Sequence, residues 1–148
     1  DVTIVAMSYM TIEALRATNY LERQNISCEL IDLRTVSPID WESIYTSVRK
    51  TGRLLVLDTG ATTGSISGEI VARVTMNLFS DLRCAPQRIA LPDVPTPTSP
   101  ALTEKFYPGC DTIAERVAQM MNLDVDTEKL TKSNTPHDVP GDWFKGPF

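Results

Sequence analysis

The sequence predicts a three-layer α/β/α sandwich on a mostly parallel sheet of four to five strands. Two observations predict it. Short apolar runs rich in β-branched residues alternate with longer stretches whose apolar residues recur at helical spacing. The runs are apolar on consecutive positions, as strands covered on both faces must be, and such coverage is the rule for parallel sheets. At 148 residues the chain has room for one domain with one core.

Each element follows in turn. Val2-Thr-Ile-Val-Ala-Met7 reads as a buried strand. Met10, Ala14, Ala17 and Leu21 then mark the inner face of a helix ending near Asn25, with Glu13, Arg16, Glu22 and Arg23 placed outside. Ser27 to Leu33 is a second strand, stopped by Pro38. Asp40 caps a helix that buries Trp41, Ile44, Tyr45 and Val48, and Gly52 ends it. Arg53 to Leu57 is the third strand, and a Gly/Thr/Ser loop runs from Asp58 to Gly68. Ile66, Ile70, Val74 and Leu78 face inward from a third helix. Arg88 to Leu91 is a fourth strand. Pro92, Pro95, Pro97 and Pro100 make the next stretch an extended, non-helical crossing. Asp111 caps a last helix with Ile113, Val117, Met120 and Met121 inward. The domain is expected to span 1–122. An extended polar and aromatic tail, 123–148, carries Trp143, Phe144 and Phe148.

Composition excludes several functions. The net charge is −5, which opposes nucleic acid and anionic lipid. No apolar run approaches membrane-spanning length and no signal peptide opens the chain. The expected location is cytoplasmic, or the mitochondrial matrix in a eukaryote. Cys28, Cys84 and Cys110 are far apart and form no metal-binding pair, so neither a disulfide framework nor a metal site is expected. The one histidine, His137, lies in the polar tail, which leaves the domain body without the commonest acid–base side chain.

The motifs that invite chemistry are weak. Leu57-Asp-Thr-Gly-Ala61 is similar to the signature of dimeric aspartic proteases. Those are all-β, whereas here a helix begins just past Gly64. The alternative for Asp58 is that it ends a strand and Gly60 makes a tight turn. Gly60, Gly64 and Gly68 form a glycine-rich loop before a helix, which suits phosphate. The lysine of the phosphate-loop pattern is missing. The small residues there instead suit close approach by another backbone at a subunit interface. Glu69, in the first turn of the third helix, is favoured by the helix dipole rather than by catalysis. Asn25-Ile-Ser27 matches the glycosylation triplet but has no secretory context.

Four segments together carry a resemblance: Asp1-Val-Thr-Ile-Val-Ala6, Ile31-Asp-Leu-Arg-Thr-Val-Ser-Pro-Ile-Asp40, Val48-Arg-Lys-Thr-Gly-Arg-Leu-Leu-Val-Leu57, and Gly68-Glu-Ile70 with Asp93-Val-Pro-Thr-Pro97. The second, Leu-Arg-x-x-x-Pro-x-Asp, is the most specific. In order and spacing they resemble the carboxy-terminal transketolase-type domain of beta subunits in pyruvate and branched-chain 2-oxo acid dehydrogenases. The resemblance implies a mixed five-stranded sheet whose first, antiparallel strand precedes Asp1, so one sheet edge is expected to lie open. It also implies thiamine diphosphate and Mg in the full enzyme but none bound by this domain. The activating glutamate lies in a preceding domain, so no catalytic residue carries over. The implied partners are an alpha subunit, a second beta subunit and the lipoyl acyltransferase core, with no nucleic acid and no membrane. The candidate interface residues are Thr63, Ser65, Ile66, Glu69, Asp93, Pro95, Trp143 and Phe144. Gly64 stands where many pyruvate-type members have histidine, which leaves the 2-oxo acid open. The alternatives are the same domain of a transketolase or deoxyxylulose-phosphate synthase, or a stand-alone phosphate or small-molecule binder using the loop from Asp58 to Gly68.

Overall fold

The computed structural model describes residues 1–131. Among these residues four strands form one parallel sheet in the order β2-β1-β3-β4. They are β1 (Val2–Ala6), β2 (Cys28–Asp32), β3 (Leu54–Ala61) and β4 (Gln87–Leu91). The helices are α1 (Tyr9–Glu22), α2 (Trp41–Thr51), α3 (Ile66–Leu78), α4 (Pro100–Phe106), α5 (Cys110–Met121) and α6 (Glu128–Thr131).

Strand pleating sorts the core into two layers. Val2, Ile4 and Ala6 of β1 and Leu55 and Leu57 of β3 pack with α1 and α5 through Ala14, Ala17, Leu21, Ile113 and Val117. Val5 of β1 and Leu54 and Val56 of β3 point the other way, onto Ile44 and Val48 of α2 and Ile70, Val74 and Leu78 of α3. Thr3 also faces α2, and its buried hydroxyl pairs with Ser47 at 2.7 Å and Thr51 at 2.8 Å. β2 and β4 are the two edge strands of this sheet.

Helix ends follow local chemistry. The Asp40 carboxylate accepts from the Ser43 N–H at 3.1 Å and caps α2. Gly52 closes α2 at φ 71°, a left-handed conformation natural to glycine, with its N–H on the Val48 carbonyl at 2.7 Å.

The structure corrects the sequence reading at four points. β3 does not stop at Leu57 but runs to Ala61, with a register shift against β4. The crossing after β4 is non-helical from Pro92 to Ser99 as expected, but Pro100 does not belong to it: it opens α4, where its fixed φ and missing N–H suit a first helical turn. Gly109, not Asp111, is the N-cap of α5. Glu13 is not on the outer face of α1 but is buried at 3% exposure. It accepts from Tyr9 Oη at 3.0 Å, Arg16 Nη1 at 3.1 Å and the Cys110 N–H at 2.9 Å. Glu13 thus caps α5 from α1, in place of the side chain that the N-cap Gly109 lacks. The same carboxylate and burial push Tyr9 up to about 12, burial being the larger cause.

Past α5, residues 123–131 fold back on the domain. Val125 and Leu130 pack against the α1/α5 layer, the Tyr20 hydroxyl donates to the Asp126 carbonyl, and Thr127 Oγ1 donates to Glu115 at 2.8 Å.

Candidate functional site

Asp58 is the polar centre of the β3–α3 turn. Burial to 4% exposure is offset by two bonds: Oδ1 accepts the Gly60 N–H at 2.8 Å and Oδ2 accepts the Ser67 N–H at 3.0 Å. The second bond caps α3 from a distance of nine residues. An α/β fold and a carboxylate used this way do not match an aspartic protease. The bond also opposes a phosphate site, since a fixed carboxylate already occupies the anion-seeking end of α3.

Beyond it the loop is strapped to the exit of β4. Thr62 N–H and hydroxyl both donate to the Leu91 carbonyl, at 2.8 and 2.9 Å, and Arg88 donates to the Thr62 carbonyl at 2.9 Å. Asp93 accepts from the Thr63 N–H at 2.9 Å and hydroxyl at 2.7 Å. These two bonds, the hydroxyl first, hold the Asp93 carboxyl below the ordinary carboxylate range. A carboxyl lowered in the folded state stabilises above its unfolded pKa and loses that contribution as pH falls through its folded pKa. In an NMR titration Asp93 is therefore expected to protonate below a model aspartate, and Thr63→Val should move the midpoint upward. An unmoved midpoint would show the hydroxyl bond to be unimportant.

The predicted interface residues fall on and beside this turn. Thr63, Glu69, Asp93 and Pro95 are exposed, and Ser65, the N-cap of α3, is half-buried. Ile66 packs inward against the α2/α3 layer. Trp143 and Phe144 lie outside the described residues. Glu69 pairs with Arg73 at 2.7 Å, and the Arg73 guanidinium lies 4.6 Å over the Trp41 ring. Trp41 in turn stacks with Tyr45 at 5.9 Å.

Sequence reading missed the outward face of α3. Met76 is 83% exposed and Phe79 76%, and Ala72 is exposed on the same face. The signal was there: Ala72, Met76 and Phe79 recur at helical spacing opposite Ile70, Val74 and Leu78, which leaves the helix apolar on two sides.

A crevice of about 550 Å³ opens at the carboxyl end of the sheet, lined by residues including Met7, Ser8, Asp32, Arg34, Val36 and Thr59. The chain order reverses there between β1 and β3, where open α/β sheets commonly bind ligands. Among the described residues its ionisable groups are one carboxylate and one guanidinium, Asp32 and Arg34, paired with each other, and Thr11 also donates to Asp32 at 3.2 Å. Paired acids poised for general acid–base work are not among its lining residues.

Burial pushes the thiols of Cys28 and Cys110 up to about 11. Both are expected to react with iodoacetamide at pH 8 at least about tenfold more slowly than free cysteine, because the thiolate is the nucleophile. Peptide mapping after timed quenching reads the rate, and alkylation at the free-cysteine rate would contradict their burial.

A parallel sheet covered by helices on both faces defines an α/β/α sandwich. The chain belongs to the transketolase C-terminal domain family, whose description, "Transketolase, C-terminal domain", it matches over residues 1–113. Among similar proteins is the beta subunit of acetoin:2,6-dichlorophenolindophenol oxidoreductase from Cupriavidus necator. It is 35% identical over 121 residues, covering 82% of this chain and 36% of that one. The pyruvate dehydrogenase E1 component subunit beta of Mycoplasma pneumoniae is 44% identical over 97 residues, covering 66% of this chain and 30% of that one. The chain thus spans about a third of the length of these relatives. A solved structure described as a split gene transketolase, inactive beta4 tetramer, superposes with a TM-score of 0.71 at 27% identity. The match covers 83% of this chain and 40% of that one.

Among the described residues no group of three or more His, Cys, Asp or Glu could hold a metal ion. Among the described residues, too, no helix is long and apolar enough to cross a membrane.

Proposed function

We propose that this chain is a subunit-assembly domain of the thiamine-diphosphate-dependent, decarboxylating component of a 2-oxo acid dehydrogenase complex. Its roles are pairing of beta subunits and docking of the lipoyl acyltransferase core. The cofactor and its Mg belong to other parts of the enzyme, shared with an alpha subunit. The observation that carries the reading is the α3 face: two large apolar side chains, Met76 and Phe79, stand in solvent on a helix whose opposite face fills the core. Exposed apolar groups that cluster on one face mark contact surfaces. The beta-subunit relatives at 35% and 44% identity support the enzyme class. The likeness to a transketolase chain described as a beta4 tetramer supports self-association, and it also keeps the transketolase C-terminal domain as a second reading.

Co-expression with an alpha subunit of a pyruvate or acetoin dehydrogenase tests the proposal. The complex should co-purify, and light scattering should give the mass of an assembly holding two copies of this chain. A monomer that captures no alpha subunit would sink it.

A further inference from the structure

The outward stripe of α3 has a shape of its own. Ser65, Gly68, Ala72, Met76 and Phe79 follow one another at spacings of three, four, four and three residues, a pattern symmetric about Ala72. On a helix these positions share one face, over a length of about 21 Å. Bulk is graded along it. Ser65 and Gly68 are small, and Met76 and Phe79 are large and exposed. The notch at Gly68 is bordered by the guanidinium of Arg88, 3.1 Å from where a Cβ would sit.

We infer that α3 pairs with α3 of a second copy of this chain, antiparallel, across a two-fold axis at Ala72. This rests on the assembly reading above and names its surface. A two-fold contact is isologous: what residue i meets in its partner, the partner's residue i meets in return. Reversal about position 72 sets position 76 against 68 and 79 against 65. The large end of each helix then enters the small end of the other. A parallel pairing would instead stack large on large and leave the notches empty. Charge points the same way. Glu69 and Arg73 lie on one flank of the stripe, and the two-fold places that flank beside its own copy with the direction reversed. Each Glu69 then lies about 3 Å along the axis from the partner's Arg73, given the rise per residue, so opposite charges meet twice. The small residues at the crossing permit close helix approach.

The test is sedimentation equilibrium of the 148-residue chain with three single variants, circular dichroism confirming the fold of each. The parent should be a dimer. Met76→Glu should weaken it on the order of a hundredfold, the loss expected of a central contact residue. Leu15→Glu, an equally surface-level change on α1, should leave it unaltered. Ala72→Cys should cross-link to itself under mild oxidation, since only a residue at the two-fold meets its own copy. A dimer indifferent to Met76→Glu, and uncrosslinked when it carries Ala72→Cys, would overturn this seam and leave the assembly reading standing. A parent chain monomeric at high micromolar concentration would overturn both.

Discussion

Replacing Glu13 with alanine is expected to lower the free energy of unfolding by about 3 kcal/mol, the cost of removing a buried charged hydrogen-bond partner. Three groups lose their acceptor together: the Tyr9 hydroxyl, the Arg16 guanidinium and the Cys110 N–H. The Cys110 N–H matters most. It belongs to the first turn of α5, whose N-cap Gly109 offers no side chain, so the helix end stays unsatisfied once the carboxylate is gone. Glu13→Gln should recover part of the loss, since its carbonyl oxygen can still accept one of these bonds. Urea denaturation measures both, with an unchanged slope expected if only the folded state is affected. An alanine variant within about 0.5 kcal/mol of the parent would mean that the clasp between α1 and α5 is ornamental.

Asp58→Asn is the second large effect, expected at about 2 kcal/mol although the side chain keeps its size. The reason lies in the two bonds. Both carboxylate oxygens accept, one from the Gly60 N–H and one from the Ser67 N–H. Asparagine has one acceptor oxygen, so its amide NH₂ must confront one of these donors, and the favourable negative charge at the start of α3 is lost as well. Asp58→Ala should cost at least as much. If the asparagine variant melts with the parent, Asp58 is neither turn-holder nor cap.

The strands are legible in the sequence because burial on both sides leaves little freedom: a run such as Leu54-Leu-Val-Leu57 has no polar position to give to solvent. The helices are legible from their inner faces for the same reason. The errors arise where one residue serves something distant in the chain. Glu13 sits three positions after Met10 and one before Ala14, on the apolar stripe of α1, and only its charge argues for an outward place. A carboxylate on an apolar stripe needs a partner, but that partner is a backbone N–H 97 residues on, which no local pattern reveals. Asp58 misleads similarly: it ends the apolar run, yet the strand continues because Thr62 and Arg88 keep tying it to β4. α4 is hidden by Pro100, a helix breaker in most positions and a helix starter in this one. Of the proposed interface residues, the loop positions stand out by their small side chains and glycines. Met76 and Phe79 do not, because a helix with one face assigned to the core is expected to be polar on the other.

The central placement of β1 and β3 has a consequence for how the molecule breathes. Each has a hydrogen-bonded neighbour on both sides and a packed layer above and below. Their amide deuterium uptake should therefore be governed by opening of the whole domain, whereas protons on β2, with one strand neighbour, can be lost in smaller excursions. Mass spectrometry of labelled peptides should rank Ile4 to Ala6 and Leu55 to Leu57 as the slowest stretches. Equal protection of Cys28 to Asp32 would mean that this rim is as firmly locked as the centre.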